Sequence, residues 1–458
     1  MTDDEKLKRA HPYFTIPSPQ GSLVMGNLGS FTDDFLPPLV EAIEEYGDVV
    51  RFRFIKQKAA VFRHPDDVYH ILLSNHRNYL KQTRGYRAMR YLMGNGLVTS
   101  EGDFWLRQRR IAQPSFHRKR VRDFAATMVA VAQKRATIWA EAADTKEIVD
   151  VAPHMMEVAL DVVGRTLLST NLVEESSTVS ENLEIVLRDV VVRTNAPIFK
   201  PLWLPGKNNR RTRDAINTLV EMVDQIIAQR RQSRDNPPDL LTMLMEARDD
   251  TGQGMSDEQL RDEVMTIFLA GHETTATALT WTWYLLARHP EYEKKLHDEL
   301  DQVLDGRAAT VEDLKHLEWT RMIIDESMRL YPPVPLVARM SQEDDVVGGY
   351  EIPANTFVFV GPYLTHRHPD YWPAPEVFRP ERFRDRRAGR PRFAYFPFLG
   401  GPRQCIGNNF ALIEAQLILA TLASRYRLRL VDEEPVGMDV TITLRPEGGM
   451  PMNIETRR

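Results

Sequence analysis

The stretch Phe396 to Ala411, FPFLGGPRQCIGNNFA, holds Cys405, the single cysteine of a 458-residue chain. A lone cysteine is more often a small buried hydrophobe than a ligand or a nucleophile, but its flanks argue for chemistry. Gly400, Gly401 and Gly407 permit backbone conformations and close approaches that a side chain would block. An apolar helical pattern starts just after Gly407, and the unpaired N–H groups at a helix start stabilise a thiolate. Zinc would ask for several Cys or His ligands at short spacing, and none accompanies Cys405. A protease-type nucleophile needs a positioned histidine, which a distant segment could fold back to supply. A thiolate on a haem iron needs no second protein ligand, because the porphyrin supplies the in-plane donors, so a single cysteine suffices.

Three other groupings could carry chemistry. AGHETT, Ala270 to Thr275, puts a glycine, a carboxylate and two hydroxyls in the middle of a helical pattern, where glycine alone costs about 1 kcal/mol relative to alanine. Its plain reading is a kinked helix whose threonines bond back to their own backbone. ESMR sets Glu326 and Arg329 three apart on one helical face, ordinarily a solvated pair. WLRQRR sets Trp105 and Arg109 four apart, so both can face one partner, and an exposed basic helix is the plain alternative.

Phe398, Gly401, Arg403, Cys405 and Gly407 fill the fixed positions of FxxGxRxCxG. This stretch resembles the haem-binding loop of the cytochrome P450 superfamily. The resemblance implies that Cys405 is the axial ligand of the iron of haem b, that Phe398 packs near the sulfur, and that Arg403 meets a haem propionate. AGHETT is similar to the family's oxygen-activation motif, where the helix opens to admit dioxygen. On that likeness Ala270 and Gly271 flank the iron, Glu273 feeds a proton relay, Thr274 hydrogen-bonds the activated oxygen, and His272 is a neighbour of the relay or a packing residue. Glu326 and Arg329 would join Arg382 of PERF in a buried structural network. Trp105 and Arg109 would reach one propionate and Arg339 the other. The motifs occur in the family's order from Trp105 to Gly407.

The activity so implied is insertion of one oxygen atom of O2 into a C–H bond of a lipophilic molecule. The chain ends soon after Cys405, so electrons from NAD(P)H are expected through a separate ferredoxin or flavodoxin and its reductase. Arg107, Arg110, Arg118, Lys119 and Arg120 offer an acidic partner a basic surface, or simply a solvated one. A peroxygenase, an isomerase or a non-catalytic haem protein would keep Cys405 without needing the Glu273 and Thr274 relay. Tyr86, Met89 and Leu92, Phe268, Pro335, Leu336 and Val337, and Ile442 are expected to line the substrate pocket. AGHETT, ESMRLYPPVP and TLRPEGG look like the fatty-acid hydroxylase branches, which favours a fatty acid, with a terpene or steroid next. Lys81, Arg84 and Arg87 could catch a carboxylate at a channel mouth, although a solvated face is the plainer reading.

These groups need a scaffold. The net charge of -5 argues against nucleic acid, and 43% hydrophobic with 27% charged residues suits an ordinary globule. One cysteine rules out an internal disulfide and fits a reducing cytoplasm. MTDDEKLKRAHPYF has mixed charge and no apolar run, so neither a signal peptide nor a membrane anchor is expected. With no repeat and no linker, the expectation is one monomeric catalytic domain over residues 1–458, mostly α in an α+β architecture. Its parts are a β-rich start to about residue 64, a helical core over about 65–331, and a β and haem-loop region over 332–458. An amphipathic helix from about Asp33 to Tyr46 precedes two strands, DVVRFRF and KAAVFRH. Breaks in the helical part fall at RNYLKQTRGYRAMRYLMGNG, NAPIFKPLWLPGKNN and RDNPPD. Ser256 and Gln259 form a capping box opening a helix to about Arg288, roughly 33 residues or about 50 Å long. A second helix after Gly407 carries Phe410, Ile413, Leu417 and Ala420 on one apolar face. EIPANTFVFV and DVTITL read as late strands.

Overall fold

The computed structural model describes residues 10–31, 34–172, 174–233, 235, 237–249, 251–385 and 388–457. In chain order, the elements that build the site begin with strands β1 (Val49–Phe54), β2 (Gln57–Phe62) and β3 (Tyr79–Leu80). Helices α1 (Arg84–Met93), α2 (Gly102–Ala112), α3 (Val151–Leu167), α4 (Ser176–Asn195), α5 (Asp257–Arg288) and α6 (Glu318–Leu330) follow. Strands β4 (Val337–Ser341) and β5 (Phe357–Val360), helix α7 (Asn408–Ala423), and strands β6 (Met438–Val440) and β7 (Leu444–Pro446) complete the set. Helices dominate and the sheets are small, as the α+β reading expects.

The capping box forms. The Ser256 hydroxyl accepts from the Gln259 N–H at 3.2 Å while the Gln259 side chain accepts from the Ser256 N–H at 3.0 Å. Two donors orphaned at the helix start are thereby satisfied together. From Leu260 onward α5 is buried on most sides, including Trp281 and Trp283, as a helix at the centre of a large core must be. It packs against α3, α6 and α7.

The N-terminal strands do not make a sheet by themselves. β1 and β2 form a hairpin with Val49 opposite Phe62, and β2 then pairs in parallel with β5, Ala59 opposite Phe357. β5 pairs with β4 and β4 with β3, giving the order β1-β2-β5-β4-β3. Ala59 to Phe62 are fully buried in the middle of this sheet, which explains their continuous apolar run.

Local differences from the sequence expectation have local causes. The break expected between Arg77 and Gly96 contains α1, whose apolar residues Ala88, Leu92 and Met93 are buried and whose end is set by Gly94 at φ 51°. The early helix runs Leu36–Tyr46, and Asp33 lies outside the described residues. DVTITL is not one strand but the end of β6, a turn and the start of β7. The helix after Gly407 buries not one face but nearly its whole girth from Glu414 to Ala423. The connection 196–206 between α4 and the helix Lys207–Gln232 is non-helical, as expected.

Candidate active site

Cys405 sits three residues before the start of α7, and its thiol opens onto a cavity of about 520 Å³. The loop is closed by the Cys405 N–H donating to the Phe398 carbonyl at 2.9 Å. Gly401 holds φ 70°, and a Cβ there would stand 1.9 Å from the Leu72 carbonyl oxygen; at Gly400 it would strike the Phe393 ring at 2.3 Å. Those two glycines are sterically required. Gly407 is not: its Cβ would meet only Phe116, at 3.8 Å, so the close approach expected there is absent among protein atoms. Burial pushes the Cys405 thiol up, while the Gly407 N–H and the Arg109 charge pull it down.

One edge of the cavity is cationic. Arg109 donates to the Gln404 carbonyl at 2.7 Å, and Arg403 lies 3.6 Å over the Trp105 ring, donates to the Ser100 carbonyl at 3.0 Å and pairs with Glu101. Arg339 donates to the Tyr86 hydroxyl at 3.0 Å and to the Ala338 carbonyl at 2.9 Å. Lys81 joins them, its Nζ donating to the Val98 carbonyl at 2.7 Å. Burial, then the charges of Arg403 and Arg339, push Lys81 well below its ordinary value, and burial brings Arg403 down to about 10. Of these four cations only Arg403 is paired with a carboxylate among the described residues, Glu101, which also offsets the Lys81 charge. The edge is short of anions. Lys81 is 7% exposed, so it is neither at a channel mouth nor on a solvated face.

Helix α5 contributes another wall. Ala270, Gly271, Glu273 and Thr274 all line the cavity. The Thr274 hydroxyl donates to the Ala270 carbonyl at 2.8 Å, and the Thr275 hydroxyl bonds the Gly271 carbonyl at 3.3 Å and Glu414 Oε2 at 3.0 Å. The helix continues unbroken through this turn, so the expected opening is replaced by threonine back-bonding. Glu273 Oε1 accepts from Arg445 Nη2 at 2.6 Å, Arg445 Nε at 2.9 Å and Thr443 Oγ1 at 2.5 Å. His272 is fully buried, bonded through Nδ1 to the Phe268 carbonyl, and is a packing residue.

Behind the cysteine loop, Glu326 and Arg329 are fully buried and paired at 2.7 and 2.9 Å, with Arg382 Nε 3.3 Å from Glu326. The solvated-pair reading of ESMR fails at this site. The sequence of the whole chain now decides what the site belongs to: a profile of the cytochrome P450 family matches residues 16–451. The chain is a cytochrome P450. Its relatives include cyclooctat-9-en-7-ol 5-monooxygenase of Streptomyces melanosporofaciens, 37% identical over 85% of this chain and 84% of that protein. Cyclooctatin synthase from the same organism is 36% identical over 85% and 84%, and pentalenene oxygenase of Streptomyces avermitilis 33% identical over 87% and 89%.

A cytochrome P450 binds haem and uses O2 as an oxygen-incorporating oxidoreductase, and the residues present fit that group. A thiol opens onto the cavity, and the cationic edge lacks the anions that two propionates would bring. No helix among the described residues is long and apolar enough to cross a membrane.

Of the expected pocket residues, Tyr86, Met89, Pro335, Leu336, Val337 and Ile442 line the cavity, Tyr86 at the cationic edge. Leu92 and Phe268 do not: both are packed in the helical core, and their neighbours Met93 and Ile267 line the cavity instead. Arg107 is held by Asp249 at 2.7 Å and by the Gln253 and Gly254 carbonyls, whereas Arg110, Arg118, Lys119 and Arg120 are exposed. Sequence reasoning missed Arg445, Thr443 and Glu414. Arg445 and Thr443 had a signal, since both belong to TLRPEGG, a motif already singled out, and Thr443 to DVTITL as well; Glu414 had none beyond being the acid in an apolar run.

Proposed function

We propose that this cytochrome P450 hydroxylates an apolar cyclic terpenoid, taking electrons from a separate acidic iron–sulfur or flavin protein. The observation that carries the substrate class is the lining of the cavity beyond Cys405: Met89, Leu187, Val190, Leu336 and Ile442 are typical of it. Such a surface selects by shape and apolar area, since it offers few polar contacts. Two relatives, a cyclooctat-9-en-7-ol 5-monooxygenase and a pentalenene oxygenase, support the same class. Arg84 lines the cavity while donating to the Ala196 carbonyl at 2.7 Å; it is the feature that favours a fatty acid as the second reading.

Haem, when bound, would supply the iron at which oxygen is activated, and Cys405 would hold that iron through its thiolate. Arg109, Arg339 and Arg403, with Lys81, would hold its carboxylates, and Phe398 and Gly407 line the cavity beside Cys405. Because the Thr274 hydroxyl gives its proton to the Ala270 carbonyl, its oxygen is left as an acceptor facing the cavity, where it orders a water. Glu273, one residue earlier, holds and passes protons at Oε2, since Oε1 is taken by Arg445 and Thr443. Glu326, Arg329 and Arg382 fix the segment behind the loop. Arg110, Arg118, Lys119 and Arg120 steer the acidic partner, ferredoxin or flavodoxin, whose reductase draws on NAD(P)H.

Optical titration of the ferric holoprotein with fatty acids, terpenes and steroids tests the substrate class. A saturable spin-state shift with cyclic terpenoids supports it; a shift with fatty acids alone replaces it by the second reading. Thr274→Ala tests the relay: the fraction of NAD(P)H electrons recovered in product should fall several-fold, and full coupling would refute it.

A further inference from the structure

Helix α1 starts in the wall of the cavity: its N-cap Thr83 and its first residues Arg84, Gly85 and Tyr86 all line it. The first N–H groups of a helix have no intrahelical partner, and an N-cap threonine ordinarily accepts from one of them. Thr83 does not, although its backbone is extended at φ -101° and ψ 166° as a cap requires. Its hydroxyl makes no hydrogen bond to any described residue, and Thr83 is only 7% exposed. The N–H groups of Arg84, Gly85 and Tyr86 likewise find no acceptor among the described residues. Buried polar groups are normally paired, so a hydroxyl and three amides left together in a cavity wall point to a ligand atom that accepts.

The first turn of α1 is held by its neighbours, so these donors keep their places. A Cβ on Gly85 would stand 3.6 Å from Thr194 Oγ1 at the end of α4 and 3.9 Å from Thr83 Oγ1, which sets the hydroxyl beside that turn. Arg84 Nη1 donates to the Ala196 carbonyl at 2.7 Å, while its Nε and Nη2 have no partner among the described residues. The Tyr86 hydroxyl accepts from Arg339 at 3.0 Å. A helix start carries about half a positive charge, and the Arg84 guanidinium adds a whole one. The group that fits is therefore an oxygen with lone pairs, neutral or anionic, and not a cation. Met89 of α1 and Leu187 and Val190 of α4 line the same cavity, so the rest of the occupant there is apolar.

We propose that the start of α1 is an oxygen-binding subsite, with Thr83 as a specificity-determining residue, and that the terpenoid taken by this enzyme already carries a carboxylate or hydroxyl that seats there. One polar anchor in an apolar pocket fixes which way round the skeleton lies, and so which carbon is presented for oxidation. The reaction that supplies the substrate is then one that has already placed oxygen on the hydrocarbon, an earlier oxidation or hydration. The inference rests on the terpenoid reading of the cavity.

The test uses the ferric holoprotein and three probes that share one apolar cage: adamantane, adamantan-1-ol and adamantane-1-carboxylic acid. Each is titrated as a competitor of 4-phenylimidazole, an azole that ligates haem iron and reports optically. Thr83→Val keeps the shape of the side chain and removes only a hydroxyl that caps nothing. It should raise the Kd of the acid about tenfold and of the alcohol about threefold, and leave adamantane within about twofold of wild type. Because no cap bond is lost, its Tm should stay within about 1 °C of wild type, whereas a merely structural threonine would lower Tm and shift all three probes alike. Equal changes for the three probes, or an acid and an alcohol that fail to compete, overturn the subsite. Faster haem transfer to apomyoglobin from Thr83→Val, with the Kd of the acid unchanged, would give these donors to a haem carboxylate and overturn it too. A spin-state shift with fatty acids alone would instead replace the terpenoid reading and leave the Thr83 differences standing, so the two failures are distinguishable.

Discussion

Glu326→Ala isolates the buried charge network. Glu326 and Arg329 have no solvent exposure, and the carboxylate is also the acceptor for the Arg379 N–H at 2.8 Å. Without it, Arg329 keeps the carbonyls of His366, Pro375 and Val377 at 3.1, 2.6 and 3.3 Å but loses its counter-charge. Arg382 keeps the Pro373 and Ala374 carbonyls at 2.6 and 2.7 Å and loses its counter-charge too. Removing one partner of a buried pair costs about 3–5 kcal/mol, since the surviving charge cannot be resolvated. Unfolding entropy of about 2.1 cal/mol/K per residue gives roughly 1 kcal/mol/K for a chain of this length, so Tm should fall by about 3–5 °C. Circular dichroism melts of the haem-loaded proteins measure it. Adding Arg329→Met removes one of the stranded charges and should recover part of the loss. A Glu326→Ala protein melting within about 1 °C of wild type would show that the network carries no such charge burden.

Cys405→Ser should abolish the thiolate-type carbon monoxide spectrum of the reduced protein; a retained band would refute the ligand assignment. Gly401→Ala must put a Cβ 1.9 Å from the Leu72 carbonyl at φ 70°, which costs about 2 kcal/mol or more and should be read as lower haem content per purified chain. Glu263 is pushed up to about 8 by burial, against the lowering effect of the Leu97 N–H. The folded chain then holds a proton that the unfolded chain releases above 4.5, so stability falls as pH rises from 4.5 toward 8. Glu263→Gln should remove a few kcal/mol of that decline, at about 1.4 kcal/mol per pH unit; urea melts at pH 5 and pH 8 with equal differences in both proteins would refute it.

What could be read from the chain was what adjacent residues decide together. The capping box at Ser256 and Gln259 and the loop bond from the Cys405 N–H to the Phe398 carbonyl depend on neighbours a few positions away. The phase of a helix buried on most sides does not. Ile267 and Phe268 are equally apolar, and a rotation of about 100° per residue decides which faces the cavity; nothing in α5 marks that choice, and Phe268 was the wrong one. Leu92 and Met93 repeat the case on α1. Long-range partners were equally hidden: Lys81 reads as a surface lysine until Arg339 and Arg403 are folded beside it. Glu414 drew no reading at all, and its partner Thr275 lies 139 positions away.

The parallel pairing of β2 with β5 sets a schedule for synthesis. Ala59 to Phe62 emerge from the ribosome early, and their partners Phe357 to Val360 only about 300 residues later. At about 5–20 residues per second, that is roughly 15–60 s in which an apolar strand edge has no partner. An open edge of that kind is a template for pairing with other chains. The yield of native protein in a host cell should therefore depend on translation speed and on chaperones that cover β2, more than on the stability of the finished fold.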